Sequence, residues 1–249
     1  MSMNRRHFMG TSVAGISAAS MLGRASFAQG QERLRLGLIG CGGRGTGAAF
    51  NAASASPEIE IAAIADLFED RLKSSRGHLD QLGDQTVITE EDCYVGWDAY
   101  KRLLSRSDID LVILATPPHF RPIHFEEAVK HGKHVFMEKP VAVDPAGVRQ
   151  VIAAAKEADA KKLSVVSGTQ RRHELCYLDA MKRIHDGEIG EPVSARCYWN
   201  QGGLWNHARQ ADWSDMEWQL RNWLYFTWLS GDHITEQHVH NLDATNWAL

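Results

Sequence analysis

Leu34-Arg35-Leu36-Gly37-Leu38-Ile39 runs straight into Gly40-Cys41-Gly42-Gly43-Arg44-Gly45, and Thr46-Gly47-Ala48-Ala49-Phe50 follows. The order is apolar strand, glycine turn, helix start. Gly40, Gly42 and Gly45 occupy the three glycine positions of G-x-G-x-x-G. A second apolar strand, Ile59 to Ala65, ends in Asp66, about 20 residues on. The glycine string alone is a weak signal. In this strand–turn–helix–strand–acid frame it predicts a dinucleotide site.

The residue types follow from the chemistry. Gly40 permits a tight turn, Gly42 lets backbone approach a pyrophosphate, and Gly45 lets the helix pack close to the sheet. The uncapped N–H groups of a helix start attract phosphate. Cys41 is expected to be a small packing residue, with Gly43 and Arg44 completing the turn. Asp66 is suited to the adenosine ribose hydroxyls and repels a 2′-phosphate, which favours NAD over NADP. Arg44 pulls the other way, because an arginine beside the turn is able to hold a 2′-phosphate.

Strands and helices alternate through the first two thirds of the chain. Ile109–Ala115, Lys133–Met137 and Lys162–Val166 read as further buried strands. Leu67–Leu82, Asp98–Leu104, Pro122–His131 and Asp144 to about Ala160 read as helices, and Gly83–Cys93 as loop. Near-continuous apolar strands alternating with helices predict an α/β fold, a doubly wound parallel sheet. The character changes near Gly168. His173–Asp186 reads as a helix, and Val193–Asn200 alternates as a strand. All the tryptophans except Trp97 lie from Trp199 onward. Residues 33–167 are thus expected to form the dinucleotide-binding domain, and 168–249 the start of an incomplete α/β, open-sheet second domain.

The 249 residues carry a formal net charge of −4 with no basic stripe, so nothing points to nucleic acid. Asn4-Arg5-Arg6-His7-Phe8-Met9, a weakly apolar segment and Ser26-Phe27-Ala28 read as a twin-arginine export signal over residues 1–28. That predicts a periplasmic or other extracytoplasmic location and the twin-arginine translocase as a partner. Export in the folded state means folding in a reducing compartment, so Cys41, Cys93, Cys176 and Cys197 are expected to be free thiols.

Several segments together resemble the Gfo/Idh/MocA oxidoreductases: the glycine turn, Thr116-Pro117, His124, Gly132-Lys133-His134-Val135, Glu138-Lys139-Pro140, Gly187-Glu188-Ile189-Gly190 and Val239-His240-Asn241-Leu242-Asp243. The resemblance runs from residue 34 to the C-terminus. It implies a Rossmann domain, NAD(P)-dependent hydride transfer on sugars, polyols or their derivatives, and a homo-oligomer for the full-length protein. It implies that Thr116, Pro117 and Glu138 line the cofactor crevice and that Lys139 lies near nicotinamide and substrate hydroxyl. An acid and a histidine on a helix of the second domain would complete the site. Here Glu236 stands in the acid position, and the chain stops where family members continue, as expected of a fragment.

On a helical wheel over residues 233–247, at about 100° per residue, His233, Glu236, His240, Asp243 and Trp247 share a face. Glu236 and His240 are then i, i+4 neighbours. This predicts His240 as the base that takes a carbinol proton, Glu236 as the carboxylate orienting it, and Lys139 as the group polarising the oxygen. His233, Glu236 and His240 also allow a zinc reading, but the spacing is not H-E-x-x-H and no metal is assigned. Arg171 and Arg172, at a strand's carboxyl edge with Gln170, are candidate substrate ligands together with His240. Outside the cytoplasm no nicotinamide pool is expected, so NAD should travel bound and be regenerated within each cycle. Two schemes satisfy this: paired sugar oxidation and reduction, or a redox-neutral glycoside hydrolase. A dinucleotide- or sugar-binding protein without catalysis is the alternative of another class.

Overall fold

The structure is a computed structural model and describes residues 33–249. The export-signal reading of residues 1–28 lies outside the described residues. Six strands form one all-parallel sheet: β1 (Leu34–Ile39), β2 (Ile59–Asp66), β3 (Cys93–Val95), β4 (Leu111–Leu114), β5 (His134–Met137) and β6 (Val165–Ser167), in the order β3-β2-β1-β4-β5-β6. This is the doubly wound sheet the alternation predicted. β3 begins at Cys93, the last residue of the expected loop Gly83–Cys93. It is short, and its residues pair with Ile64–Asp66 at the sheet edge.

Helices cover both faces, which is why the strands are apolar almost throughout. On one face α1 (Gly43–Ala55) and α2 (Glu69–Leu79) bury Ala48, Ala49, Leu72 and Leu79 against Leu36, Leu38, Ile61 and Ile64. On the other, α3 (Ala99–Leu104), α4 (Arg121–Lys130) and α5 (Pro145–Ala160) bury Leu103, Phe125, Val129 and Ala154 against Ile39, Val112, Leu114 and Val135. Each fully buried Leu or Phe contributes about 1.5–3 kcal/mol, against at most about 1 kcal/mol for an exposed ion pair. These two layers therefore hold the crevice in place. Asp144 starts α5 as the sequence suggests: its Oδ1 accepts the Gly147 N–H at 2.7 Å and Pro145 takes the first helical position.

After β6 the chain forms α6 (Leu175–His185), α7 (Asp215–Arg221), α8 (Thr227–Ser230), α9 (Asp232–Glu236) and α10 (Val239–Ala248). Two expectations are corrected here. Val193–Asn200 is not a strand: its alternating pattern finds no neighbouring strand among the described residues, so ladder hydrogen bonds have no acceptor. The helix expected over 233–247 is broken. α9 ends at Glu236, and the N–H groups of Gln237 and His238 both return to the His233 carbonyl before α10 begins.

The turn glycines differ sharply in what surrounds them. A Cβ at Gly45 would lie 1.9 Å from the Gly40 carbonyl oxygen, whereas one at Gly47 would meet nothing within 4 Å. Gly45→Ala is therefore expected to destabilise the fold by about 1–3 kcal/mol through overpacking. Gly47→Ala should be neutral or stabilise α1 by up to about 1 kcal/mol. Urea unfolding of the two variants checks this; equal midpoints would refute the close approach.

Candidate cofactor and substrate site

In the observed strand order, β1 lies between β2 and β4, where the connections part in opposite directions. The crevice opens at the carboxyl ends of these strands. Gly40 turns the chain there with φ +99°, and a Cβ on it would sit 2.6 Å from the Ala115 carbonyl carbon. A Cβ on Gly42 would touch only the Arg71 guanidinium, at 3.4 Å, and one on Gly43 would meet nothing. The turn is open on its outer side. No side chain caps α1 at Gly42, so its first N–H groups remain available to an anion. These residues fit a dinucleotide pyrophosphate.

Asp66, at the tip of β2, is fixed to that turn. Its Oδ2 accepts the Cys41 N–H at 2.6 Å and its Oδ1 accepts the Phe68 N–H at 2.8 Å. Burial raises its pKa, while those two backbone donors and Arg71 pull it down. Each carboxylate oxygen keeps a lone pair for a ribose hydroxyl. Cys41 is buried beneath the turn, its thiol pushed up by burial first and then by Asp66. All four cysteines are free. Arg44 is not beside Asp66 in function: its Nε and Nη2 both reach Glu138 Oε1, at 2.7 and 2.6 Å. The cation that does bear on Asp66 is Arg71, which the motif reading missed because it lies a helical turn beyond the acid.

Across the crevice, Thr116 and Pro117 line the same cleft as Asp66. Arg121 holds this lip in place. It is buried, and donates to the carbonyls of Thr116, at 2.8 Å, and Pro140. Burial lowers its pKa to about 10, with Glu138 and Glu236 opposing. His124 meets Thr116 Oγ1 through Nδ1 at 3.2 Å. Nothing in the motif pattern marked Arg121, whose role is visible only once the two loops are folded together.

Lys139 follows β5, on the loop whose Glu138 holds Arg44. Its Nζ donates to the Glu236 carbonyl and to Glu236 Oε1, the latter at 2.7 Å. The pair is well buried, with side-chain exposures of 14% and 8%. Glu236 Oε2 is buried with no protein partner. Glu236 thus serves Lys139 and not His240, a correction that follows from the break between α9 and α10. His240 stacks on Trp199 instead, centroids 5.6 Å apart and planes 21° from parallel. Arg171 lies over the other neighbours of that stack, 5.3 Å from the Trp199 ring and 5.4 Å from Tyr177, and bonds Asn241 Oδ1. Arg172 is engaged elsewhere, in a two-point ion pair with Asp243. The structure therefore gathers Lys139, Glu236, His240 and Arg171, and leaves Arg172 as a tie between the turn after β6 and α10. His233 reaches the Trp199 carbonyl, and no group of three metal-ligating side chains forms among the described residues.

The electrostatics of the two imidazoles have a measurable consequence. His240 is lowered to about 4 by burial, then by Lys139 and Arg171; His124 is lowered to about 3 by burial, then by Arg121. Both are neutral near pH 7. Below the ordinary value of 6.5 the unfolded chain takes up protons that the folded chain refuses, so stability must fall as pH drops through this window. Urea unfolding from about pH 7 to about pH 4.5 is expected to show that fall, and His240→Asn to flatten it. An unchanged slope in the variant would contradict a neutral, desolvated His240.

Comparison with known proteins places the fold. The chain is 28% identical over 199 residues to glycosyl hydrolase family 109 protein 3 of Phocaeicola vulgatus, covering 76% of this chain and 34% of that protein. It is 27% identical over 220 residues to an inositol 2-dehydrogenase of Klebsiella pneumoniae, covering 87% and 54%. The chain thus spans about a third to a half of the curated relatives it matches. Among solved structures, the scyllo-inositol dehydrogenase of Lactobacillus casei shares the fold, with a TM-score of 0.59 at 19% identity over 88% of this chain and 55% of that one. The family model described as "Oxidoreductase family, NAD-binding Rossmann fold" matches residues 34–167, and on that match the chain belongs to the Gfo/Idh/MocA oxidoreductase family.

Proposed function

We propose that the protein is an exported NAD-dependent oxidoreductase that acts on a sugar, polyol or sugar derivative by hydride transfer, with a dinucleotide that is held tightly and regenerated in each cycle. The observation that carries this reading is the loop Glu138-Lys139-Pro140. At one residue it grips the phosphate turn through Arg44; at the next it presents a buried ammonium paired with Glu236, beside a neutral His240. The nicotinamide, when bound, supplies the hydride acceptor. The chain's own residues handle the oxygen and its proton. Lys139 stabilises the negative charge that develops on the substrate oxygen, and Glu236 keeps the ammonium aimed. His240 has an unprotonated nitrogen to accept the hydroxyl proton. The unpartnered Glu236 Oε2 is a ready acceptor for a second substrate hydroxyl. Arg171 and the Trp199 face supply a charged and an aromatic contact suited to a sugar ring. Residues 168–249 are the first part of the substrate domain in this reading.

Asp66 supports NAD over NADP. It is desolvated and already holds two backbone donors, and the Arg44 guanidinium is committed to Glu138. The twin-arginine signal over residues 1–28, read by the translocase, supports retention of the cofactor after export. A second reading, a redox-neutral glycoside hydrolase, is favoured by the relative named as a family 109 glycosyl hydrolase. In it a sugar carbon would be oxidised, the acidified neighbouring proton and the glycosidic substituent would be eliminated to leave an unsaturated ketone, water would add across that double bond, and the carbonyl would be reduced again, so one water and no external oxidant is consumed.

Denaturing mass spectrometry of the purified full-length protein should release NAD. Lys139→Ala is expected to cut turnover by about 100-fold or more while NADH binding persists; undiminished turnover would refute the role given to Lys139, and wild-type protein that binds NADH but turns over none of the substrates below would refute the enzyme reading. Asp66→Ser should narrow the NAD preference, read as the ratio of NADH to NADPH affinities. A panel of polyols, keto sugars and nitrophenyl glycosides separates the two schemes: bound NADH formed with a polyol and consumed on adding a keto sugar supports paired oxidation and reduction, and glycoside cleavage without net NADH supports the redox-neutral cycle.

A further inference from the structure

We infer that the adenosine half of the dinucleotide is enclosed by a strap, residues 213–230, which crosses the cofactor crevice and is latched by Arg221. This rests on the dinucleotide reading above. The strap contains α7, the turn Trp223–Tyr225 and α8. It belongs to the part of the chain assigned to substrate, yet Leu220 and Trp223 line the same cleft as Asp66, Thr116 and Pro117.

The strap stands on both lips of the crevice. On the β2 side, Arg221 forks onto Asp70, Nη1 to Oδ2 at 2.9 Å and Nη2 to Oδ1 at 3.0 Å, while its Nε takes Glu217 Oε1 at 2.9 Å. The guanidinium lies 4.0 Å from the Phe68 ring centroid and 4.8 Å from that of Trp213. Phe68 and Asp70 immediately follow Asp66, the ribose acceptor. On the β4 side, the Trp228 ring meets His119 edge-on at 5.2 Å, on the turn Pro118–Phe120. Trp228 Nε1 also donates to Gln219 Oε1 at 2.8 Å, which couples α8 to α7.

Between these two feet the strap is stiff. Asn222 is buried, and its side chain bonds both backbone groups of His207, at 2.7 and 3.1 Å, and the Trp218 carbonyl at 3.1 Å. The wall it offers to the cleft is flat and apolar, Trp223 beside Leu220, which suits a purine ring. The latch itself is of intermediate strength. A half-exposed ion pair alone holds weakly, but the fork and the two flanking rings fix its geometry. A latch of that kind opens to admit the cofactor during folding and then slows its escape. Adenosine cannot leave until Arg221 releases Asp70.

The test uses full-length protein exchanged into NADH, with release followed by nicotinamide fluorescence on adding excess ADP-ribose. Arg221→Ala and Asp70→Asn are each expected to speed release by about tenfold. The double variant should add little, because the two changes remove one shared contact. Trp223→Ala should weaken ADP-ribose and NADH by the same factor, as expected of a residue that touches only the adenosine half. Asp70 is exposed and Asn is isosteric, so that variant tests the latch on a folded protein even if Arg221→Ala fails to fold. Wild-type protein that binds neither NADH nor ADP-ribose would overturn the dinucleotide reading. Wild-type binding with unchanged release in the Asp70 and Trp223 variants would overturn the strap alone, as would a Trp223→Ala variant that binds NADH more weakly with unchanged ADP-ribose affinity.

Discussion

Gly45 and the carbonyl of Gly40 approach so closely that no side chain fits between them, and much of the site depends on that contact. It sets α1 hard against the end of β1, so the helix start faces the crevice instead of solvent. The turn that results leaves the Cys41 N–H without a helical partner, and Asp66 supplies it. One short contact thereby positions the uncapped N–H groups of the helix start and the Asp66 carboxylate together. The same turn carries Arg44 to Glu138, which adjoins Lys139. The path from the glycine turn to Lys139 is only a few covalent and ionic links long.

The far lip has its own keystone in Arg121. A buried guanidinium costs desolvation, which shows in its lowered pKa. It is tolerated because two carbonyls from two separate loops, Thr116 and Pro140, accept from it, with Glu138 and Glu236 nearby to offset the charge. The energetic cost buys fixed relative positions for the cofactor-lining turn after β4 and the Lys139 loop after β5. Without such a tie these loops would be joined only through the sheet.

What was legible in the sequence had local causes. The parallel α/β sheet follows from apolar runs spaced by helices, Asp144-Pro145 carries its own cap, and the glycine turn is written in consecutive residues. Where contacts span long separations the reading failed. Glu236 lies 97 residues from Lys139, and no wheel drawn over 233–247 could show that the helix breaks to deliver it. The i, i+4 pairing with His240 was the local solution, and the long-range ion pair displaced it. Val193–Asn200 failed for the complementary reason: alternation describes a face, but a strand also needs a neighbour. Arg71, Arg121 and Arg221 escaped notice because an arginine's partner is set by reach and fold, not by spacing.

The charges around the candidate site are already paired among themselves: Arg44 with Glu138, Lys139 with Glu236, Arg172 with Asp243, Arg221 with Asp70. Each pair joins segments far apart in sequence, and two of them, Lys139 with Glu236 and Arg221 with Asp70, stitch the Rossmann sheet to the helices that follow it. They are not equivalent. Glu138 and Glu236 are buried, so breaking either pair would strand a charge in a poor solvent, and these two define the rigid floor of the site. Asp70 and Arg172 are more exposed, so water competes for them and their pairs open at lower cost. The gradient runs from a fixed centre at Lys139 to a releasable edge at Arg221. That ordering suits a site in which the reacting groups must not move while the way in and out must.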